Sequence, residues 1–200
     1  MTEFSNAASG RSLPCLYFDE PGRENTLKTL AAAARRVKEL DVRHIVAASS
    51  QGETALKALD FFRDRNLVIV THSTGFVKTN YQEMQPAVRE NLLRAGVKVL
   101  TCQHAFGGVG RAVRKKLGSY QMEEIIAYTL RLFGEGTKVA VEVALMASDA
   151  GYIPTGEPCV SIGGTARGAD TALLLRPAPA QDFFDIRIME ILVKPRLATV

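Results

Sequence analysis

A run of small hydroxyl residues and glycine, Ser49-Ser50-Gln51-Gly52-Glu53-Thr54, separates an apolar segment from a helix-like segment. Glycine lets backbone N–H groups approach a ligand without a Cβ in the way. The first turn of a helix adds unpaired N–H donors and a partial positive charge. The run therefore predicts an anion site formed by Ser49, Ser50, Gly52 and Thr54. It lacks the lysine and the spacing of a P-loop, and an ordinary helix cap is the alternative.

Three further polar segments of similar composition each follow an apolar run. In a sheet of parallel strands such segments meet beyond the carboxyl ends of the strands, where ligands collect. We therefore predict one ligand site that all four segments share. Its additional candidate binding residues are Thr71, His72, Thr101, Gln103, His104, Gly163, Gly164, Thr165, Asp170 and Thr171.

The two histidines of these segments leave three roles open. As general acids or bases, His72 and His104 are the catalytic candidates. A metal site would join His72 to Cys102 and His104, because residues i and i+2 of a strand point to one side. No fourth ligand is evident, so no metal site is predicted. The third role is that of a polar strand-end side chain bonded to the backbone, and no serine or cysteine stands in a nucleophile motif beside either histidine.

Two carboxylates, Glu142 and Asp149, are seven residues apart in a segment of helical periodicity, which places them on roughly one helix face. The apolar residues Val139 and Met146 lie near that face. Such a carboxylate can be a functional acid, can pair with a lysine, or can cap another helix, and the sequence leaves these three possibilities open.

Apolar runs alternate with amphipathic segments along most of the chain, which is typical of parallel strands joined by crossover helices. No helical pattern separates the last two apolar runs, which indicates an antiparallel pairing there. We predict an α/β fold, a three-layer α/β/α sandwich with a mostly parallel sheet and an antiparallel edge. The predicted strands are 16–18, 44–48, 67–71, 97–101, 160–162, 171–175 and 186–193, and the predicted helices are 27–40, 53–62, 81–94, 109–117, 122–133 and 139–150.

The composition, with 46% hydrophobic and 23% charged residues in 200, fits a single globular domain over residues 13–200 after a polar arm at 1–12. No apolar run reaches the roughly 20 residues of a membrane span, and no signal-peptide core is present. We therefore expect a cytoplasmic protein without membrane contacts. Three cysteines without repeated spacing argue against a disulfide framework. The one dense basic cluster, at 111–116, is more typical of a solvated helix face than of a nucleic-acid site.

In its motifs and their order, the chain resembles stand-alone proteins related to the C-terminal α/β domain of pyruvate kinase. The resemblance covers nearly all of the chain after the polar arm. It rests on Pro21-Gly22 with Asn25-Thr26, Val46-Ala47-Ala48-Ser49-Ser50 with Gly52 and Thr54-Ala55, Val70-Thr71-His72 with Gly75-Phe76, Glu123-Ile125-Ile126 with Thr129-Leu130-Arg131, Met146-Ala147 with Asp149-Ala150-Gly151, Ile162-Gly163-Gly164-Thr165 with Gly168-Ala169-Asp170-Thr171-Ala172, Phe183-Phe184-Asp185, and Glu190-Ile191-Leu192 with Lys194-Pro195-Arg196. Asn25, from the first of these motifs, completes the set of candidate binding residues.

The resemblance implies a phosphate-binding role for the loop at 49–54, because in the kinase the equivalent loop holds a phosphate of a sugar-phosphate activator. This sequence departs from the kinases at Gln51 and Glu53. An acidic Glu53 beside a phosphate is unfavourable unless it points away, so the ligand need not be the sugar phosphate of the kinases. The resemblance also implies that the stand-alone proteins can hold flavin mononucleotide (FMN). Pyruvate kinase activity is not expected, because it needs bound cations and a lysine on a barrel-shaped catalytic domain, and one α/β sandwich uses the 200 residues.

Three functions remain open at this point. The first is a binding protein for a phosphorylated small molecule, such as FMN, with no chemistry of its own. The second is an enzyme, either a flavin-dependent oxidoreductase or a hydrolase that uses His72 or His104. The third is a structural module whose helix faces and late hairpin form the interface of a homo-oligomer.

Overall fold

Seven strands form one sheet in the computed structural model, which describes residues 10–197. Residues 1–9 of the predicted polar arm, and residues 198–200, lie outside the described residues. The strands are β1 (Leu16–Phe18), β2 (His44–Ala48), β3 (Asn66–Val70), β4 (Lys98–Leu100), β5 (Cys159–Gly163), β6 (Thr171–Arg176) and β7 (Arg187–Pro195). The helices are α1 (Thr26–Leu40), α2 (Glu53–Phe62), α3 (Pro86–Arg94), α4 (Val109–Leu117), α5 (Met122–Arg131) and α6 (Glu135–Asp149), with short 3-10 helices at Arg23–Asn25 and Ala180–Asp185.

The strand order is β1-β7-β6-β5-β2-β3-β4, and β6 alone among these seven strands runs against the others. Loops without an α-helix precede and follow β6, so β6 pairs antiparallel with β5 and with β7. The prediction of a mostly parallel sheet with antiparallel pairing among the last strands is confirmed.

Helices cover both faces of the sheet, which confirms the three-layer sandwich. On one face, Leu30 of α1 and Phe62 of α2 are fully buried against strand residues such as Ile45. On the other face, α6 contributes a core that packs on the next strand residue, Val46. Neighbouring residues of β2 thus face opposite cores, and this is why the central strands read as continuous apolar runs.

The helix predicted at 81–94 begins only at Pro86. Proline restricts the residue before it to extended backbone, and Gln85 accordingly has a ψ of 138°. Residues 71–85 therefore form a long connection that starts at the carboxyl end of β3. The other predicted helices begin and end within about four residues of the observed ones.

Helix α6 lies unusually close to the sheet at its first turn. A Cβ on Gly136 would stand 2.1 Å from Oγ1 of Thr171, and a Cβ on Gly163 would stand 2.2 Å from the carbonyl oxygen of Gly136. Glycine at these two positions lets the amino end of α6 pack directly on β5 and β6. Within residues 10–197, no helix has the length and apolar character needed to span a membrane.

Candidate functional site

A cavity of about 310 Å³ opens where the carboxyl ends of β2, β3, β4 and β5 meet. It lies between the first turn of α2 on one side and α6 on the other. Its lining residues are Ala48, Ser49, Ser50, Gln51, Glu53, Thr54, Val70, Thr71, His72, Phe76, His104, Arg111, Arg131, Glu135, Lys138, Val139, Glu142, Val143, Met146, Gly164, Ala166, Arg167 and Gly168. Seven of the residues predicted for the site line this cavity: Ser49, Ser50, Thr54, Thr71, His72, His104 and Gly164.

The loop between β2 and α2 combines a helix cap with groups that face the cavity. Oγ of Ser49 accepts the N–H of Ala55 at 3.2 Å, so this serine caps α2. Among the described residues, the N–H groups of Glu53 and Thr54 have no hydrogen-bond acceptor, as expected in the first turn of a helix. Both residues line the cavity, so this end of α2 offers free donors to an anion.

Gly52 has a structural role within the same loop. Its φ is +101°, and a Cβ at this position would stand 2.5 Å from Cγ1 of Val88 on α3. Glycine is needed here for the turn and for close packing on α3, and Gly52 does not line the cavity.

His72 is held by the carboxylate of Glu83, which was not predicted from the sequence. Nδ1 of His72 lies 2.6 Å from Oε2 of Glu83. The side chain of Glu83 is 12% exposed and that of His72 is 37% exposed. The neighbours of Glu83 fix its position, because Nε2 of Gln82 donates to the carbonyl of His72 and Met84 is buried.

His104 lies beside His72, with 5.4 Å between the two ring centroids. The ring of Phe76 stacks on that of His104 with 4.9 Å between centroids. Nε2 of His104 accepts the N–H of Ser73 at 3.4 Å. Burial lowers the pKa of His104 to about 4, against the opposing effect of Glu142, so the imidazole is neutral at pH 7.

The opposite wall consists of two ion pairs on α5 and α6. Arg131 pairs with Glu135, and Nζ of Lys138 lies 2.5 Å from Oε2 of Glu142. Glu142 also accepts the N–H of Phe106 at 2.9 Å. Glu142 was a candidate from the sequence, with a lysine partner as one alternative, whereas Arg131, Glu135 and Lys138 were not predicted for the site. The spacing of Glu135, Lys138 and Glu142 by three and four residues was an available signal, because it places these three on one face of α6, whereas Arg131 ends α5.

Two further arginines line the cavity. The guanidinium of Arg111 lies over the ring of Phe76, 5.1 Å from its centroid. Arg167 is exposed on the loop between β5 and β6. Among the ion pairs of residues 10–197, none includes Arg111 or Arg167.

The remaining predicted residues lie outside the cavity lining, and several of them fix the loops around it. Asp170 is fully buried and accepts hydrogen bonds from the N–H of Gly22, the N–H of Thr165 and the hydroxyl of Thr171. Asn25 donates to the carbonyl of Glu20 at 2.8 Å. Thr101 accepts a hydrogen bond from Arg89, and Asp149 accepts the N–H of Ala180. Gln103 is exposed, and Gly163 packs on α6. Within residues 10–197, no three histidine, cysteine or carboxylate side chains form a group that could hold a metal ion.

Comparison with known proteins identifies the family of the chain. The model of the pyruvate kinase alpha/beta domain matches residues 28–175. Among solved structures, the chain is similar to Cryptosporidium parvum pyruvate kinase, with 15% identity over 76% of this chain and 22% of the kinase, at a TM-score of 0.38. It is also similar to the pyruvate kinase of the same organism in complex with ADP, with 15% identity over 76% of this chain and 23% of that one, at a TM-score of 0.40. The chain thus spans less than a quarter of the length of these kinases. Since the family model matches well over half of its residues, the chain belongs to the pyruvate kinase alpha/beta domain family.

Proposed function

We propose that the chain binds a phosphorylated small molecule in the cavity at the carboxyl ends of the strands. The observation that supports this most directly is an excess of positive charge beside the first turn of α2. The lining carries four basic side chains, Arg111, Arg131, Lys138 and Arg167, against the three carboxylates of Glu53, Glu135 and Glu142. Two of the cations, Arg111 and Arg167, take part in none of the ion pairs of the described residues. A phosphate would balance this charge and would accept the free N–H groups of α2.

The size of the cavity favours a compact ligand. Its 310 Å³ lies at the lower end of the roughly 300–1,000 Å³ typical of small-molecule sites. The proposal does not include pyruvate kinase activity, which needs bound cations and a lysine on a barrel-shaped domain. Every strand of residues 10–197 belongs to one open sheet.

Isothermal titration calorimetry with inorganic phosphate and glucose 6-phosphate tests this function. The variant Ser50→Asp places a carboxylate in the loop just before the first turn of α2 and should weaken binding by about tenfold or more. Ser50 is a better target than Gly52, where any side chain would collide with Val88. Ser12→Asp, an equal charge change at an exposed position outside the cavity, is the matched control. Unchanged affinity in a folded Ser50→Asp protein would remove α2 from the site.

FMN is the specific ligand that we propose to test in the same cavity. Its phosphate matches the first turn of α2, and Val139, Val143 and Met146, together with Phe76, would contact its ring. The seven charged side chains of the lining suit a flavin ring less well than a sugar phosphate. A flavin spectrum in purified or FMN-treated protein would support FMN. Colourless protein that takes up no added FMN would exclude it.

An enzyme that uses His72 or His104 is the second candidate function. The contact between His72 and Glu83 favours it, because a carboxylate orients a histidine for proton transfer. The candidates from the sequence are a flavin-dependent oxidoreductase and a hydrolase. Oxidation of a reduced nicotinamide cofactor by FMN-loaded protein would identify the oxidoreductase, and His72→Gln should abolish that turnover.

We propose a small molecule, rather than a nucleic acid or a membrane, as the partner of this site. In the basic cluster of α4, Arg111 lines the cavity and Arg114 pairs with Glu124 at 2.8 Å. This leaves Lys115 and Lys116 exposed, which is a small patch for a polyanion. The proposal agrees with the cytoplasmic location expected from the sequence.

A further inference from the structure

The two histidines of the cavity have complementary free nitrogen atoms. Glu83 accepts the proton on Nδ1 of His72, which leaves Nε2 of His72 as a hydrogen-bond acceptor. His104 is bonded the other way, because its Nε2 accepts the N–H of Ser73 and its proton therefore lies on Nδ1. Among the described residues, neither Nε2 of His72 nor Nδ1 of His104 has a hydrogen-bond partner. The cavity thus contains one imidazole ready to accept a proton and one ready to donate a hydrogen bond.

The surroundings of the two rings keep this pair in place. Phe76 packs on both, with 4.1 Å between its centroid and that of His72 and 4.9 Å between its centroid and that of His104. The 5.4 Å between the two imidazoles lets both reach neighbouring atoms of one small ligand. Burial keeps His104 neutral, because it lowers the pKa of that imidazole to about 4. A neutral imidazole can polarise a carbonyl group without giving up a full proton.

We propose that the cavity catalyses proton transfer at the carbon next to the carbonyl of a phosphorylated sugar. His72 is the base, and His104 is the hydrogen-bond donor to the carbonyl oxygen. This inference rests on the proposed function, since the phosphate must be held by α2 and the cations of the cavity. It adds a reaction and a substrate class to that function, and it derives from the two imidazoles and Glu83.

The atoms and electrons of the step balance without a co-reactant. The C–H bond next to the carbonyl breaks, and its proton goes to Nε2 of His72. The electron pair of that bond forms the C=C bond of an enediolate, whose oxygen accepts the N–H of His104. Return of the proton to the neighbouring carbon, with transfer of a hydroxyl proton between the two oxygens, completes an aldose–ketose isomerisation. Return to the original carbon regenerates the sugar.

Glu83 is a positioning residue in this scheme, because it acts through His72. The variant Glu83→Gln keeps an oxygen that can accept the N–H of Nδ1 but removes the negative charge. We expect kcat to fall while KM stays nearly unchanged, because the amide still orients the imidazole but supplies no negative charge, and Glu83 does not contact the substrate. Glu83→Leu should lose the orientation as well. Partial activity in the Gln variant and none in the Leu variant would distinguish positioning from a purely structural role.

Deuterium exchange from D₂O, followed by NMR, tests the reaction with three probes: glyceraldehyde 3-phosphate, ribose 5-phosphate and glucose 6-phosphate. We expect at least one probe to bind by calorimetry and to gain deuterium next to its carbonyl faster than without protein. His72→Gln and His104→Gln should each slow this exchange by about 100-fold and leave probe affinity nearly unchanged. His44→Gln is the matched control, because His44 bonds to Glu157 and Asn66 and does not line the cavity.

Each outcome separates the reaction from ligand binding. A probe that binds without faster exchange would overturn the proton-transfer role and leave the proposed function standing. Exchange that persists in His72→Gln would also overturn it, since the base would be another group. If none of the three probes binds, this inference fails, and the proposed function is then decided by phosphate and FMN binding.

Discussion

The folded chain holds His104 neutral over a pH range in which an exposed histidine is protonated. Burial lowers its pKa from 6.5 to about 4, so between these values the unfolded chain binds a proton that the folded chain does not. The stability contributed by this site is therefore lost as the pH falls from about 6.5 to about 4. We predict that His104→Gln makes the free energy of unfolding less sensitive to pH in this window. Urea unfolding at several pH values measures this, and equal pH slopes in both proteins would contradict it.

The ion pair of Lys138 and Glu142 is buried, with side chains 9% and 6% exposed. Lys138→Met would leave the Glu142 carboxylate buried without its cation, at a cost of about 3 kcal/mol in the free energy of unfolding. Adding Glu142→Gln removes the uncompensated charge. The double variant should therefore lose less free energy of unfolding than the two single variants lose together. Urea unfolding of the full cycle gives the coupling energy.

The exposed pair of Arg35 and Glu39 on α1 is the control for that cycle. It has the same spacing of four residues, but its atoms are 4.0 Å apart and its side chains are 65% and 49% exposed. Arg35→Met should change the free energy of unfolding by less than about 1 kcal/mol. A similarly small change in the free energy of unfolding for Lys138→Met would contradict the prediction for the buried pair of Lys138 and Glu142.

At the scale of secondary structure, the close approach of α6 to the sheet depends on Gly136. Alanine is intrinsically better than glycine inside a helix, yet a Cβ here would stand 2.1 Å from Oγ1 of Thr171. We predict that Gly136→Ala lowers the free energy of unfolding by about 1–3 kcal/mol, because overpacking outweighs helix propensity. Gly110→Ala in α4 is the control, since the nearest atoms to its Cβ would be the flexible carboxylate end of Glu123, with Cβ of Gln121 at 3.1 Å. Equal stability of the two variants by urea unfolding would contradict this.

The sequence was sufficient to predict the sheet and the edge at which the site lies. Runs such as Leu67-Val68-Ile69-Val70 are apolar throughout because both faces of β3 are covered. Such a run can be recognised from adjacent residues alone. The wall formed by Arg131, Glu135 and Lys138 was not predicted, because Arg131 ends α5, and Glu135 and Lys138 lie in the first turn of α6, before the helix predicted at 139–150. Glu83 was missed for a related reason: residues 81–85 read as helix, whereas Pro86 makes them the loop that brings Glu83 to His72.

At the scale of the whole molecule, the cavity joins elements from both helical layers. The first turn of α2 belongs to one layer and α6 to the other, and the ends of the central strands connect them. The site therefore exists only when both layers are packed on the sheet. Binding of a phosphorylated ligand to the folded chain alone should raise the melting temperature, as mass action requires.

The outer surface of α4 and α5 gives a prediction about assembly. Met122, Ile125 and Leu132 are each more than half exposed, although the opposite face of α5 packs on the core through Ala127. A group of exposed apolar side chains of this kind typically marks a protein interaction site. The apolar residues at 109, 117, 120, 128 and 133 are exposed as well. Together the eight residues have on the order of 1,000 Å² of accessible surface, compared with about 800 Å² buried per partner in a standard interface.

We predict that two copies of the chain associate through this surface as a symmetric homodimer, since a two-fold contact lets the same apolar side chains of each copy cover those of the other. Sedimentation velocity should give the mass of a dimer. The double variant Ile125→Lys with Leu132→Lys should give a monomer that keeps its cavity and its phosphate affinity. Leu27→Lys, at an exposed leucine on α1, is the matched control and should remain dimeric. A monomeric wild-type chain at its highest soluble concentration would contradict the prediction, as would a double variant that stays dimeric.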